Sequence, residues 1–191
     1  MTHSLILFNG PPGSGKDECA RHMYKRTTVH WFRYSQPIKD GIRAMFALTE
    51  AEYADAEKKK DEPSKMFFGK TFREVQISFS EQWAKVFFSN QIFGHLALRR
   101  VKKSISTVFV CSDSGFATEV EPFFQHFHKD DVLLIKLHRP GKSFSADSRN
   151  YIDLPGVMTI KLNNDASLNT LFENVDMIVT PWLDRYKDKQ A

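Results

Sequence analysis

The segment Gly10-Pro11-Pro12-Gly13-Ser14-Gly15-Lys16-Asp17 has the G-x4-G-K spacing of a phosphate-binding loop. Successive main-chain N–H groups must converge on phosphate oxygens, and side chains on the glycines would block that approach. An apolar run, Ser4–Asn9, precedes the loop and a helical pattern follows it, so unpaired amides at the helix start would add to the site. Lys16 reaches the outer phosphates as a flexible point charge. A ligand-free Gly/Pro turn is the plain alternative. A Ser or Thr usually follows the lysine and touches Mg²⁺; here Asp17 stands there, a hard oxygen donor that also suits the first turn of a helix.

Other charged residues stand where they could join this site. Asp113 ends the apolar run Thr107–Asp113, where an acid beside the loop can hold Mg²⁺ through water or simply start a turn. Glu119 comes near the next helix start and either orients an arginine or belongs to the cap. Arg73 lies in the first turn of a helix, at the wrong end of the dipole for a cation; a nearby anion, such as a substrate phosphate, would remove the conflict. Arg139, Lys142 and Arg149 punctuate HRPGKSFSADSRNY, a long polar connection that reads as a flap whose cations suit phosphoryl transfer, or as a basic surface loop. Arg99, Arg100, Lys102 and Lys103 read as a solvated helix end. Most of the 17 Phe fall at core spacing, whereas Phe67, Phe68 or Phe116 is free to stack a base.

The elements that must position these residues alternate. Strands are read at Ser4–Asn9, Val29–Tyr34, Thr107–Asp113, Val132–Leu137 and Val157–Leu162. Helices are read at Asp17–Arg26 (Ala20, Met23 and Tyr24 on one face), Pro37–Ala47, Ile92–Val101, Thr118–Phe127 and Ala166–Val179, the last capped by Asn164-Asp165. Phe72, Val75, Phe79, Trp83, Val86 and Phe87 form one amphipathic stripe, opened by the capping box Thr71-x-x-Glu74. The segment 49–69 shows no motif. Alternating strands and helices predict a doubly wound α/β domain with a parallel sheet, its ligands beyond the carboxyl ends of the strands.

Composition bounds the rest. In 191 residues, 27 Lys+Arg against 23 Asp+Glu leave a net charge of +4, too diffuse for a nucleic-acid stripe. Hydrophobic residues make up 41%, which excludes a disordered chain, and no apolar run spans a bilayer. Two cysteines without a CxxC pair argue against zinc or disulfides. MTHSLILFNG lacks the basic start of a secretory signal, so a cytoplasmic location is expected. Neither a membrane nor a nucleic-acid partner is expected.

GPPGSGKD, YSQPIK, TFREVQISFSEQWAK, VCSDSGFATEVE, LHRPGKSFSADSRNYI and IKLNNDASLNTL together resemble the bacteriophage deoxynucleoside monophosphate kinases, within the nucleoside monophosphate kinase group of P-loop proteins. The resemblance runs over nearly the whole chain. It implies a single P-loop NTPase domain with a five-stranded parallel sheet in the order 2-3-1-4-5, a helical acceptor region over about 36–103 and a lid over about 138–155. It implies transfer of the γ-phosphoryl group of ATP to a deoxynucleoside monophosphate (dNMP), with Mg²⁺, and allows a homodimer. Residue by residue, Gly10, Pro11, Pro12, Gly13, Ser14, Gly15, Lys16 and Asp17 would hold the ATP phosphates. Arg139 would join them, and Asn163 and Asn164 would lie beside the adenine. Ser35, Lys39, Arg73, Gln76, Trp83 and Asp113 would surround the acceptor, Asp17 and Asp113 would hold the metal, and Lys16, Arg139 and Arg149 would act on the transferring group. No general base is named, because the acceptor phosphate is already nucleophilic. Two other readings stay open: a P-loop kinase of another small phosphorylated acceptor, and an ATP-binding module without transfer.

Overall fold

The computed structural model describes residues 3–145 and 147–187. Met1 and Thr2, at the head of the stretch read for a signal, and Ala146, inside the flap, lie outside them. Strand β1 (Ser4–Asn9) is followed by α1 (Lys16–Arg26), β2 (His30–Phe32), α2 (Gln36–Met45) and α3 (Glu50–Lys58). Then come α4 (Phe72–Ile77), a π-helical turn (Ser78–Ala84), α5 (Lys85–Phe87) and α6 (Ile92–Val101). Strand β3 (Val108–Ser114), α7 (Ala117–Val120), β4 (Val132–His138), β5 (Met158–Asn163) and α8 (Leu168–Lys187) complete the chain.

All strand pairs are parallel and the order is β2-β3-β1-β4-β5. Side chains alternate across β1, so Leu5 and Leu7 face one core layer while Ile6 and Phe8 face the other. The first layer packs under α6, α7 and the segment Ile152–Val157. The second packs under α1 and α8. A third, smaller cluster of Ile42, Leu48, Ala56, Phe67 and Phe72 holds α2, α3 and α4 together beside the sheet. Strand β1 connects toward β2 and its neighbour β4 toward β5, so a crevice opens at the end of β1, where such sheets bind ligands.

Several boundaries differ from the expectations, each for a local reason. The second strand shortens to His30–Phe32, because Tyr34 and Ser35 turn to give their amides to Asp113. Cys19, not Tyr24, completes the buried face of α1 with Ala20 and Met23; Tyr24 is exposed. Pro122 stops α7, and residues Glu121–Gln125 continue as a 3-10 turn. The last helix runs on through Pro181 to Lys187, and its first turn is capped by Ser167, whose hydroxyl accepts from the Thr170 amide. Asn164 is used elsewhere. Helix α3, unread in the sequence, carries its own capping box, Thr49 with Glu52. The expected box of Thr71 and Glu74 is present.

The amphipathic stripe departs most. The π turn adds a residue per repeat and rotates the later side chains of the stripe away from the core. Phe72 is buried, yet Trp83, Val86, Phe87 and Phe88 stand 49%, 70%, 72% and 62% exposed. No helix among the described residues is long and apolar enough to cross a membrane.

Candidate active site

The loop after β1 is built around two left-handed glycines, Gly13 (φ 74°) and Gly15 (φ 104°), a conformation that L side chains rarely adopt. Lys16 folds back across it and donates to the carbonyls of Gly10 (2.6 Å) and Pro11 (2.8 Å). Burial, together with the nearby Arg149 guanidinium, pushes the Lys16 ammonium down to about 8. The Asp17, Asp113 and Asp147 carboxylates pull the other way, and a phosphate at the start of α1 would find this cation beside it. Asn164 braces the loop by donating to the Ser14 carbonyl (2.9 Å), and Arg139 grips the Gly13 carbonyl (3.0 Å).

Asp17 sits at the head of α1. Its Oδ1 accepts from the Ser112 hydroxyl (2.7 Å) and from Arg33 (Nη2 3.1 Å, Nε 3.3 Å), which leaves Oδ2 for a ligand. Burial opposes the charge, but Arg33 and the Ser112 hydroxyl hold the carboxyl below the usual range. Arg33 lies over the Trp31 ring (4.5 Å to its centroid), and the Trp31 indole donates to Ser112 Oγ (3.0 Å). Asp113 engages both oxygens with main chain: Oδ1 accepts from the Tyr34 amide (2.8 Å) and Oδ2 from the Ser35 amide (3.0 Å). It thereby holds Ser35 at the rim of the site. No group of three or more His, Cys, Asp or Glu among the described residues could hold a metal alone. Mg²⁺ needs fewer, because it keeps waters and takes phosphate oxygens; one free carboxylate oxygen at Asp17 fits that habit.

A cleft of about 230 Å³ joins the loop to the helical region. Pro12, Gly13, Lys16 and Asp17 form one wall, and Ser35, Lys39, Arg73 and Gln76 the facing one. Arg149 and Asp113 also line it. Of the residues expected around the acceptor, Trp83 alone is absent: the π turn carries it outward, where it packs on Phe79 and Phe88. Asn163 and Asn164 do not line this cleft; Asn163 is exposed at the end of β5. Arg73 has its anion within the protein, for Asp61 pairs with it through both oxygens. Lys39 pairs with Glu57 of α3 at 2.9 Å. Phe67 belongs to the third core cluster and Phe68 is exposed, so of these three phenylalanines Phe116 lines the cleft, with Lys85 Nζ 3.7 Å from its ring centre.

The cleft also holds residues that the motif reading passed over: Arg33, Lys60, Ser80, Glu81, Ser112 and Asp147. Only Asp147 had a local signal, two residues before Arg149. Its carboxylate takes the Arg149 Nε (2.8 Å) and Nη2 (2.5 Å), and despite burial this pairing keeps it below the usual range. Glu119 is buried at the cleft wall; burial and then the Asp113 charge push its carboxyl up to about 8, although Lys85 and Arg149 pull the other way.

No protein-family model matches the chain, and no curated protein matches it. Solved structures do. TT1252 from Thermus thermophilus aligns over 95% of this chain and 98% of its own at 13% identity, with a TM-score of 0.50. The shikimate kinase of Acinetobacter baumannii, solved with shikimate, aligns over 94% and 95% at 13% identity and a TM-score of 0.47. The APS kinase CysC of Mycobacterium tuberculosis aligns over 96% and 98% at 14% identity and a TM-score of 0.43. At such identities the likeness to TT1252 is one of fold. The chain has the P-loop NTPase fold: an all-parallel sheet in the order 2-3-1-4-5, with the G-x4-G-K turn at the end of its central strand.

Proposed function

We propose that the protein transfers the γ-phosphoryl group of ATP to a small phosphorylated acceptor, and that this acceptor is a deoxynucleoside monophosphate. One observation carries the reading. Lys16 from the loop, Arg149 from the flap, and Lys39, Lys60 and Arg73 from the helical region line a single cleft, so cations stand toward both of its ends among the carboxylates of Asp17, Glu81, Asp113 and Asp147. Two anionic ligands meeting head to head would use both ends. The resemblance of YSQPIK, TFREVQ and DSGF to the phage kinases supports a nucleotide as the second ligand, and Phe116 offers a face for its base.

Phosphoryl transfer needs alignment, charge neutralisation and exclusion of water more than covalent help. The amides of residues 10–16 would cradle the donor phosphates, and Lys16 would leave the Gly10 and Pro11 carbonyls for their oxygens. Asp147 occupies two nitrogens of Arg149, so Nη1 remains to meet the equatorial oxygens of the group in flight. Arg73 and Lys39 would exchange Asp61 and Glu57 for the acceptor phosphate, with Ser35 at its near edge. Mg²⁺, when bound, would neutralise charge between the outer phosphates, with Asp17 as the carboxylate that reaches it. Arg139 and Asn164 keep the loop in shape from outside.

The test is a coupled ADP-release assay with the four dNMPs, AMP and phosphorylated acceptors that lack a base. Turnover should depend on a nucleoside monophosphate, and Lys16→Ala should lower it at least about 100-fold with little change in melting temperature. ATP binding without acceptor-dependent turnover would mean a binding module instead. Turnover with the baseless acceptors alone would move the protein to another substrate class.

A further inference from the structure

Gly115 comes directly after the last residue of β3, and its φ is not among the left-handed values, so its backbone does not call for glycine. Space does. A Cβ added there would stand 2.5 Å from Arg149 Cγ, 3.0 Å from Arg149 Cβ and closer still to Cδ. Those three nearest atoms all belong to Arg149; none is sheet backbone. The arginine stem therefore lies flat on the bare main chain of Gly115, in a place no other residue type leaves open.

The contact has a cause further down the sheet. Asn9, fully buried at the end of β1, donates to the carbonyls of Ser114 (2.8 Å) and Asn150 (3.0 Å) and accepts from the Ile152 amide (3.0 Å). Ser114 and Asn150 are the chain neighbours of Gly115 and Arg149. One amide side chain thus brings the end of β3 and the flap together, and Asp147 fixes the guanidinium from the other side. The short segments Asp113-Ser114-Gly115 and Asp147-Ser148-Arg149, far apart in sequence, work as one unit.

We propose that Gly115 is a positioning residue for the phosphoryl-transfer arginine: it seats the Arg149 stem so that the guanidinium reaches the cleft before substrate arrives. This rests on the kinase reading above for its catalytic consequence, but not for its geometry. Two readouts keep these apart. In the first, kcat and KM are measured for wild type, Arg149→Ala and Arg149→Lys, each with and without Gly115→Ala. Gly115→Ala should lower kcat about 10-fold or more while the acceptor KM stays within about 3-fold. In the Arg149→Ala background, the same change should cost no more than about 2-fold. In the Arg149→Lys background, which keeps the stem, the cost should return.

The second readout needs no turnover. Phenylglyoxal modification followed by peptide mass spectrometry reports how freely each arginine reacts. Arg149 should react several-fold faster in Gly115→Ala than in wild type, while Arg139 keeps its rate. If Gly115→Ala folds poorly, the double variant with Arg149→Ala should recover most of the lost melting temperature, since the two closest contacts, Cγ and Cδ, are removed and Cβ alone stays at 3.0 Å. An unchanged Arg149 reaction rate, or an equal loss of kcat with and without the Arg149 stem, would overturn the proposal. A wild type that reacts as expected with phenylglyoxal but phosphorylates no acceptor would sink the kinase reading and leave the seat standing.

Discussion

At the scale of single residues, two buried ionisable groups in the cleft should make opposite contributions to stability as pH changes. Glu119 has its carboxyl raised from 4.5 to about 8, by burial first. Between those values the folded protein keeps a proton that the unfolded chain releases, so this contribution to stability is complete below pH 4.5 and declines as pH rises toward 8. Glu119→Gln removes the titration. Chemical denaturation across pH 5–8 should show the variant gaining on wild type as pH rises; parallel curves would contradict a buried neutral carboxyl. Lys16 runs the other way: its ammonium is lowered from 10.5 to about 8, so between these values the unfolded chain holds the extra proton and stability rises with pH. Phosphates beside Lys16 would restore its charge. ATP binding at pH 8 should therefore take up protons, read by calorimetry in two buffers of different ionisation enthalpy, and Lys16→Met should abolish that share of the uptake.

At the scale of elements, the segment Thr71–Phe88 shows how a local irregularity redirects a side-chain pattern. Spacing alone places Phe72 and Phe87 on one buried face. The π turn at Ser78–Ala84 breaks that phase, leaving Phe72 1% exposed and Phe87 72% exposed. Phe72→Ala should cost about 3–5 kcal/mol in denaturant unfolding, as for other large-to-small changes in a packed core. Phe87→Ser should stay within about 0.5 kcal/mol. Equal costs would mean that the helix is regular in solution. The same turn decides which residues line the cleft: Ser80 and Glu81 join Gln76 there, while Trp83 does not. Asn9 is the corresponding device on the sheet, joining β1, β3 and the flap through one side chain. Asn9→Leu should cost at least about 2 kcal/mol, because the buried Ile152 amide loses its acceptor.

At the scale of the whole molecule, three layers of packing converge on the carboxyl ends of the strands. The loop grows from the most buried strand, β1, and is anchored in the main core, whereas the wall facing it stands on a separate small core around Phe67 and Phe72. That division suits a site that must hold one ligand in place and close around another. ATP and acceptor together should raise the melting temperature more than the sum of their separate effects, and Arg149→Ala should reduce that excess.

The loop and the strands were legible in the sequence because each is encoded locally, whereas the order of the strands came only from the resemblance to the phage kinases. G-x4-G-K states its need for bare amides within eight residues, and the strands are short apolar runs bounded by turns. Helix Ile92–Val101 and the capping box at Thr71 were readable for the same reason. What local pattern could not carry is which polar groups find each other across the fold. Asp61 meets Arg73, Arg33 meets Asp17, and Gly115 meets Arg149 through contacts whose sequence separation leaves no periodic trace. Backbone needs are written in neighbouring residues, while space and charge are decided by what packs alongside, and only the tertiary structure brings those partners together.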